Sequence, residues 1–129
     1  MKILICGSRT WTDMKTMDIF FQGFDFRTVI VEGGAPGADL MAKKLALKYK
    51  LRWEEYKADW KTYGKAAGPI RNKRMLDEGK PHMVMAFHND LSKSKGTKDM
   101  VEQAEKRGIP VMKIKSSEII QDKKGTEGK

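Results

Sequence analysis

The chain has few of the residues that build disulfide-bonded, zinc-binding or membrane-spanning proteins. One cysteine, Cys6, occurs among 129 residues, so no internal disulfide can form and a reducing cytoplasm is the expected location. The two histidines, His82 and His88, lack the spacing of a zinc site, and we expect no metal. No apolar run approaches the ~20 residues of a membrane span. The short apolar stretch at residues 3–6 predicts a first strand rather than a signal peptide.

Positive charge is abundant and unevenly distributed. The chain carries 26 Lys and Arg against 17 Asp and Glu, a net charge of +9. Residues 41–80 alone hold 12 basic and 5 acidic side chains. Such a concentration attracts anionic partners, either a nucleotide or the backbone of a nucleic acid. Charge alone leaves open a third interpretation, a solubilising surface.

Short apolar runs alternate along the chain with segments of helical periodicity. This alternation predicts an α/β fold with a five-stranded, mainly parallel sheet and helices on both faces. Residues 1–115 are predicted to form one domain, and the polar residues 116–129 a flexible C-terminal tail. The predicted strands are residues 2–6, 28–31, 51–56, 82–87 and 109–114; helices are predicted to start near residues 13, 36, 69 and 97, with a loop at 57–67.

Glycine-rich and polar segments follow the strands, at the sheet edge where α/β folds bind ligands. The sequence GGAPGAD at residues 33–39 directly follows the second strand. Its glycines permit close approach of a ligand, and a helix starting near Pro36 would direct backbone N–H groups at an anion. A tight turn between strand and helix is the alternative. The glycine spacing matches neither a Walker loop nor the dinucleotide fingerprint. The candidate phosphate-binding residues are Gly7, Ser8, Arg9, Gly33, Gly34, Ala35, Gly37, Ala38, Asp39, Arg71, Asn72, Gly96 and Thr97.

Four residues have both a functional and a structural interpretation. Arg71 falls in the first turn of a predicted helix, where a cation opposes the helix dipole and therefore indicates a bound ligand or a carboxylate nearby. Asp99 could contact a ribose or act as a general base, or it could stabilise the start of its own helix. Trp60 and Tyr63 could stack on a nucleotide base, or they could cover the core.

Four motifs in order resemble those of the SLOG superfamily, and most closely its small bacterial and phage branch related to YspA and YpsA. They are Gly7-Ser8-Arg9 with Asp13; GGAPGAD; Gly68-Pro69-x-Arg71-Asn72-x-x-Met75; and Gly96-Thr97-x-Asp99-Met100 followed by Gly108-Ile109-Pro110. The resemblance covers residues 1–114. It implies a Rossmann-like three-layer sandwich that binds a nucleotide or nucleotide-derived ligand related to NAD or ADP-ribose.

Relatives in this superfamily include the Lonely Guy phosphoribohydrolases and the DNA-processing protein A fold. Arg71 and Met75 resemble a hydrolase segment, and Asp99 stands where those enzymes have a glutamate, so the resemblance implies Arg71 and Asp99 as candidate catalytic residues. Gly96-Thr97 keeps part of their Pro-Gly-Gly-x-Gly-Thr motif, whereas the Pro-Gly-Gly is absent.

The functional hypothesis is binding of a small-molecule nucleotide, by a sensor, a sequestering protein or an N-glycosidic hydrolase. No further cofactor and no membrane association are expected, and relatives often form homodimers. The alternative hypothesis is a nucleic-acid-binding protein that uses the basic segment 41–80.

Overall fold

The computed structural model describes residues 1–117, which form a single parallel sheet with helices on both faces. All four strand pairings are parallel, and the strand order is β3-β2-β1-β4-β5. The predicted α/β fold with a five-stranded sheet is therefore confirmed. The strands are β1 (Lys2–Gly7), β2 (Val29–Glu32), β3 (Arg52–Glu55), β4 (Met83–Phe87) and β5 (Val111–Ile114), and the helices are α1 (Met14–Gln22), α2 (Ala38–Lys48), α3 (Trp60–Tyr63), α4 (Ala67–Asp77) and α5 (Lys95–Lys106).

Two hydrophobic cores lie on opposite sides of the sheet. Successive residues of the central strand β1 point to opposite faces, so Ile3 and Ile5 pack with α1 and α2, whereas Leu4 and Cys6 pack with α4 and α5. Strands that are buried on both faces lack the polar alternation of a half-exposed sheet, as the continuous apolar run of β1 shows. The three-layer arrangement follows from these two cores.

The segment at residues 57–67 is helical from Trp60 onward, and its prediction as a loop was wrong for that part. It contains α3, a 3-10 turn at Gly64–Ala66 and the first residue of α4. The Asp59 side chain accepts a hydrogen bond from the Thr62 amide and so caps α3. Helix α4 therefore starts at Ala67, and Pro69 is its third residue rather than its first. Four-residue helices carry too little periodicity to be recognised in the sequence.

The end of the described chain is fastened to the start of α1. Asp13 caps α1 through the Thr16 amide, and its carboxylate also accepts hydrogen bonds from Ser116 and Ser117. Burial would raise the pKa of Asp13, but these hydrogen bonds outweigh burial and hold the pKa well below its usual range. Most of the predicted tail at 116–129 lies outside the described residues, so the domain boundary stays a prediction. Within residues 1–117, no helix is long and apolar enough to cross a membrane.

Candidate functional site

A cleft of about 1020 Å³ opens at the carboxyl ends of β1 and β4, and we call it the main cleft. The loop after β1, the first turns of α2, α4 and α5, and the loop after β4 contribute its walls. These elements meet because the carboxyl ends of parallel strands share one edge of the sheet. The structure brings the following predicted site residues to its lining: Gly7, Ser8, Arg9, Ala35, Asp39, Trp60, Arg71, Asn72, Gly96 and Thr97.

The GGAPGAD loop differs from an open phosphate cradle, because the protein itself supplies partners for several of its amides. The Gly34 N–H donates to Glu32 Oε1 at 2.6 Å, and the Ala35 N–H donates to Asp39 Oδ2 at 3.2 Å. The Ala38 N–H donates to the Ser8 carbonyl at 3.0 Å. The chain's own carboxylates thus occupy positions that the sequence suggested for an anion. The acidic residues Glu32 and Asp39, which flank the glycines in the sequence, could have indicated these internal hydrogen bonds.

Gly7 and Gly37 allow the loops after β1 and β2 to pack backbone against backbone. Gly37 has φ +80, and a Cβ atom there would overlap the Ser8 carbonyl oxygen. A Cβ atom at Gly7, which has φ +156, would overlap the Phe87 carbonyl oxygen. Glycine at position 37 thus lets the loop after β2 approach Ser8 and Arg9, and glycine at position 7 lets the end of β1 pack against the backbone of β4.

Arg71 connects the GGAPGAD loop to α4. Its Nη1 donates to the Gly33 carbonyl at 2.6 Å, and its Nε donates to Asn72 Oδ1 at 3.0 Å. The guanidinium fits because Gly33 has no side chain; a Cβ atom there would overlap Nη1. Within the described chain Nη2 has no hydrogen-bond partner, so it remains available at the cleft wall.

The charges around Arg71 are partly balanced by a buried acid. Burial raises the pKa of Asp39 to about 6, although the Ala35 amide and the Arg71 charge favour its ionised form. Burial also lowers the pKa of Arg71, while Asp39 acts in the opposite direction. Arg9 lies over the ring of Trp60, with 5.7 Å between the guanidinium carbon and the ring centroid. The site thus presents two neighbouring guanidinium groups with one buried carboxylate behind them.

The N-terminus of α5 forms the facing wall. Ser94 caps the helix by accepting the Thr97 amide, and Asn72 donates to the Gly96 carbonyl at 3.2 Å, which holds the turn against α4. In the part of the chain that the structure describes, the amides of Lys95 and Gly96 have no partner. These two N–H groups and the positive end of the helix dipole favour an anion at this wall.

Asp99 does not line the main cleft. Its Oδ2 accepts hydrogen bonds from Asn72 Nδ2 at 3.0 Å and from Gln103 Nε2 at 2.8 Å. Asn72 in turn accepts from Arg71, so Asp99 orients the amide that orients the guanidinium. This position gives Asp99 a supporting contact rather than one to a molecule in the cleft.

Of the two aromatic residues predicted to stack on a base, only Trp60 lines the cleft. Trp60 and Tyr63 are 50% and 51% exposed. Cys6 lies at the cleft floor, where burial raises the pKa of its thiol and keeps it protonated. Among the described residues, no group of three or more His, Cys, Asp or Glu side chains is arranged to hold a metal.

A pair of glutamates that the sequence reading missed lies beside the GGAPGAD loop. Glu32 and Glu55 are neighbours at the carboxyl ends of β2 and β3, and Glu32 is 0% exposed. Burial and the adjacent Glu55 raise the pKa of Glu32 to about 8, and the hydrogen bond from Glu32 lowers the pKa of Glu55. Glu32 Oε2 and Glu55 Oε2 are buried without a hydrogen-bond partner among the described residues, and Lys43 Nζ lies 3.6 Å from Glu55 Oε2. Because the pKa of Glu32 is raised to about 8, we infer that Glu32 holds a proton at neutral pH and shares it with Glu55.

The Glu32→Gln variant tests this shared proton. Because the pKa of Glu32 is raised in the folded protein, wild type loses stability as pH rises from the unfolded pKa through about 8. Glutamine keeps the donor and the acceptor but cannot ionise. We therefore expect the variant to gain about 1–2 kcal/mol relative to wild type between pH 5 and pH 9, since the coupled Glu55 offsets part of the shift. Urea unfolding at both pH values measures this; Glu105→Gln is the exposed control. An equal pH dependence of wild type and Glu32→Gln would contradict the shared proton.

Comparison with known proteins supports the fold and identifies a family. Residues 1–63 match the family model described as YAcAr: YspA, cpYpsA-related SLOG family. The chain is 36% identical over 120 residues to the Gene 61 protein of Mycobacterium phage D29, which covers 86% of this chain and 94% of the phage protein. It also superposes on DNA processing protein A (DprA) from Streptococcus pneumoniae with a TM-score of 0.71 and 22% identity. That match covers 87% of this chain, which spans about half (49%) of the DprA chain.

Proposed function

Because the chain belongs to the YspA, cpYpsA-related SLOG family, we propose that its main cleft binds a nucleotide or a nucleotide-derived ligand. One observation carries the proposal: two guanidinium groups and two unpartnered helix amides converge on one cleft at the carboxyl edge of the sheet. A volume of about 1020 Å³ accommodates a nucleoside together with its phosphate groups.

The phosphate is proposed to bind between α4 and α5. Arg71 Nη2 supplies donors on one side, and the Lys95 and Gly96 amides supply donors on the other. Arg9 adds a second guanidinium, which suits bidentate contacts to phosphate oxygens. Two of the acids that line the cleft, Asp13 and Asp90, accept hydrogen bonds from neighbouring serines and threonines and therefore oppose an anion less than open carboxylates would.

The base is proposed to stack near Trp60. This ring is half exposed, lines the cleft and already carries the Arg9 guanidinium on one face. Aromatic stacking on a base contributes about 1–3 kcal/mol and tolerates different bases. The proposal is one of binding, as by a sensor or sequestering protein. Hydrolysis would need a carboxylate at the ribose, and Asp99 is held by Asn72 and Gln103 instead.

A thermal-shift series with isothermal titration calorimetry tests the binding. We expect adenosine 5′-monophosphate, ADP, ADP-ribose or NAD to raise the melting temperature, with adenosine as the phosphate-free control. Arg9→Ala is expected to weaken binding about tenfold, because it removes one charge-assisted contact. Arg27→Ala is the control variant, because Arg27 is paired with Asp25 and does not line the cleft. The nucleotide affinity of this variant should match that of wild type. No melting shift with nucleotides of any of the four common bases would refute the proposal.

Nucleic-acid binding is the second candidate, and the exposed aromatic residues of α3 favour it. Trp60 and Tyr63 lie one helical turn apart, both about half exposed, within the basic segment 41–80. Bases of a single strand stack on such side chains. Several basic residues of the segment are instead engaged in ion pairs, among them Lys43, Lys48, Lys73 and Arg74. Affinity for a single-stranded oligonucleotide that falls steeply with salt, and that Tyr63→Ala lowers, would favour this candidate.

A further inference from the structure

A second, smaller cavity of about 190 Å³ adjoins the main cleft, and we call it the side cavity. Arg9, Ala35, Trp60 and Arg71 line both spaces, so the two arginines stand between them. The remaining walls of the side cavity are Gly33, Gly34, Pro36, Lys57 and Ala58. A group bound in the main cleft against Arg71 could therefore be continuous with a second group in the side cavity.

The lining of the side cavity carries positive charge only. Arg9, Lys57 and Arg71 contribute three cations, and among residues 1–117 no acidic side chain belongs to the lining. Lys57 has one long ion pair, 3.7 Å from its Nζ to Glu55 Oε1, and its side chain is 78% exposed. Because the Lys57 ammonium is exposed and its ion pair is long, this pair contributes little to stability and leaves the ammonium able to contact another anion.

The acids behind the lining neutralise only part of this charge. Asp39 lies behind Arg71, and Glu55 lies beside both Lys57 and Lys43. Burial and the neighbouring Glu55 raise the pKa of Glu32 to about 8, so Glu32 adds no full negative charge near pH 7. The cations around the side cavity therefore outnumber the charged acids, and the excess favours a ligand that brings its own negative charge.

We propose that the side cavity is a subsite for a second anionic group of the ligand, which makes the preferred ligand one with two linked phosphoryl groups. This inference rests on the proposed function. Arg71 and Arg9 contact both groups from the wall between the two spaces, and Lys57 contacts only the second. Liquid water occupies about 30 Å³ per molecule, so 190 Å³ holds a phosphoryl group and some of its hydrating water. A Cβ atom at Gly34 would stand 3.3 Å from both the Glu55 carboxyl carbon and the Lys57 side chain, so glycine at this position leaves room beside them.

Titration calorimetry with paired ligands tests the subsite. We expect wild type to bind ADP at least tenfold more tightly than adenosine 5′-monophosphate. Lys57→Ala should remove most of this difference, weakening ADP five- to tenfold while leaving the monophosphate within twofold of wild type. Lys15→Ala is the matched control, since Lys15 is exposed on α1 and lines neither space. Because Lys57 is exposed, its removal should leave the melting temperature of the unliganded protein unchanged.

The outcomes separate the subsite from the proposed function. If the monophosphate and the diphosphate bind equally, or if Lys57→Ala weakens both by the same factor, the subsite is refuted and nucleotide binding stands. If no adenine nucleotide binds, the proposed function fails for these ligands. The subsite is then tested by comparing the affinities of pyrophosphate and inorganic phosphate. A preference for pyrophosphate that Lys57→Ala abolishes would support the subsite, and an equal response of both proteins would overturn it.

Discussion

Replacing Arg71 with alanine is expected to weaken nucleotide binding about 100-fold, the largest effect of any single change at the site. The guanidinium lines both the main cleft and the side cavity, so its loss removes contacts to every anionic group proposed to bind there. A charge-assisted hydrogen bond contributes about 1.5–3 kcal/mol, and each 1.4 kcal/mol corresponds to a factor of ten in affinity.

The same substitution should also loosen the loop before any ligand binds. Arg71 donates a hydrogen bond to the Gly33 carbonyl, and its second hydrogen bond, to Asn72 Oδ1, fixes the orientation of the guanidinium. Without it, buried Asp39 loses the charge that most favours its ionised form, so the pKa of Asp39 should rise further above about 6. A lysine at this position keeps the charge but cannot donate in two directions from one planar group, so Arg71→Lys should recover only part of the affinity.

Titration calorimetry on three variants separates these effects. Arg71→Ala and Arg71→Lys are compared with Arg74→Ala, which removes an arginine one turn along the same helix. Arg74 is paired with exposed Glu78 and lines neither space, so its variant should bind like wild type. Equal affinities of Arg71→Ala and Arg74→Ala would show that the guanidinium is not part of the binding site.

Replacing Asp13 with alanine is expected to lower the free energy of unfolding by about 2–3 kcal/mol. An N-cap contributes about 1–2 kcal/mol, and the change also removes the carboxylate that accepts hydrogen bonds from Thr16, Ser116 and Ser117. For a chain of this size the melting temperature should fall by roughly 8–10 °C. Because these contacts join α1 to residues 116 and 117, the loss is one of long-range structure as well as of a helix cap.

The ionisation of Asp13 determines how the stability difference between wild type and Asp13→Ala changes with pH. The folded protein holds the pKa of Asp13 below its unfolded value, so the carboxylate stabilises the protein above that unfolded pKa. The stabilisation is lost as the pH falls toward the folded pKa. The gap between wild type and Asp13→Ala should therefore be full at pH 6–7 and should narrow toward pH 2–3.

Thermal unfolding followed by circular dichroism at several pH values measures that gap. Asp59→Ala is the control, because Asp59 also caps a helix but is exposed and accepts from the Thr62 amide alone. It should cost less than about 1 kcal/mol. A gap for Asp13→Ala that equals that of Asp59→Ala would mean that the contacts to residues 116 and 117 contribute nothing.

Much of the site could be predicted because its location depends on strand direction alone. Once the strands were assigned as parallel, the residues after β1, β2 and β4 had to meet at one edge, and Arg9, Asp39 and Gly96 do line the same cleft. The prediction that was wrong concerns a short local segment. Helix α3 has four residues, too few for a periodic pattern, so 57–67 read as a loop. The homodimer and the flexible tail stay predictions.

The sequence by itself determined the order of the elements, the parallel sheet and the edge at which the site forms. Apolar runs alternating with amphipathic segments leave few other ways to bury both faces of a sheet. Only the tertiary structure decided the partners of the polar groups. Glu32 lies beside Glu55, Asp39 accepts a hydrogen bond from the Ala35 amide, and Asp99 accepts one from Asn72. Hydrogen bonds act within about 3 Å, and such distances depend on strand register and helix rotation, which no periodicity in the sequence encodes.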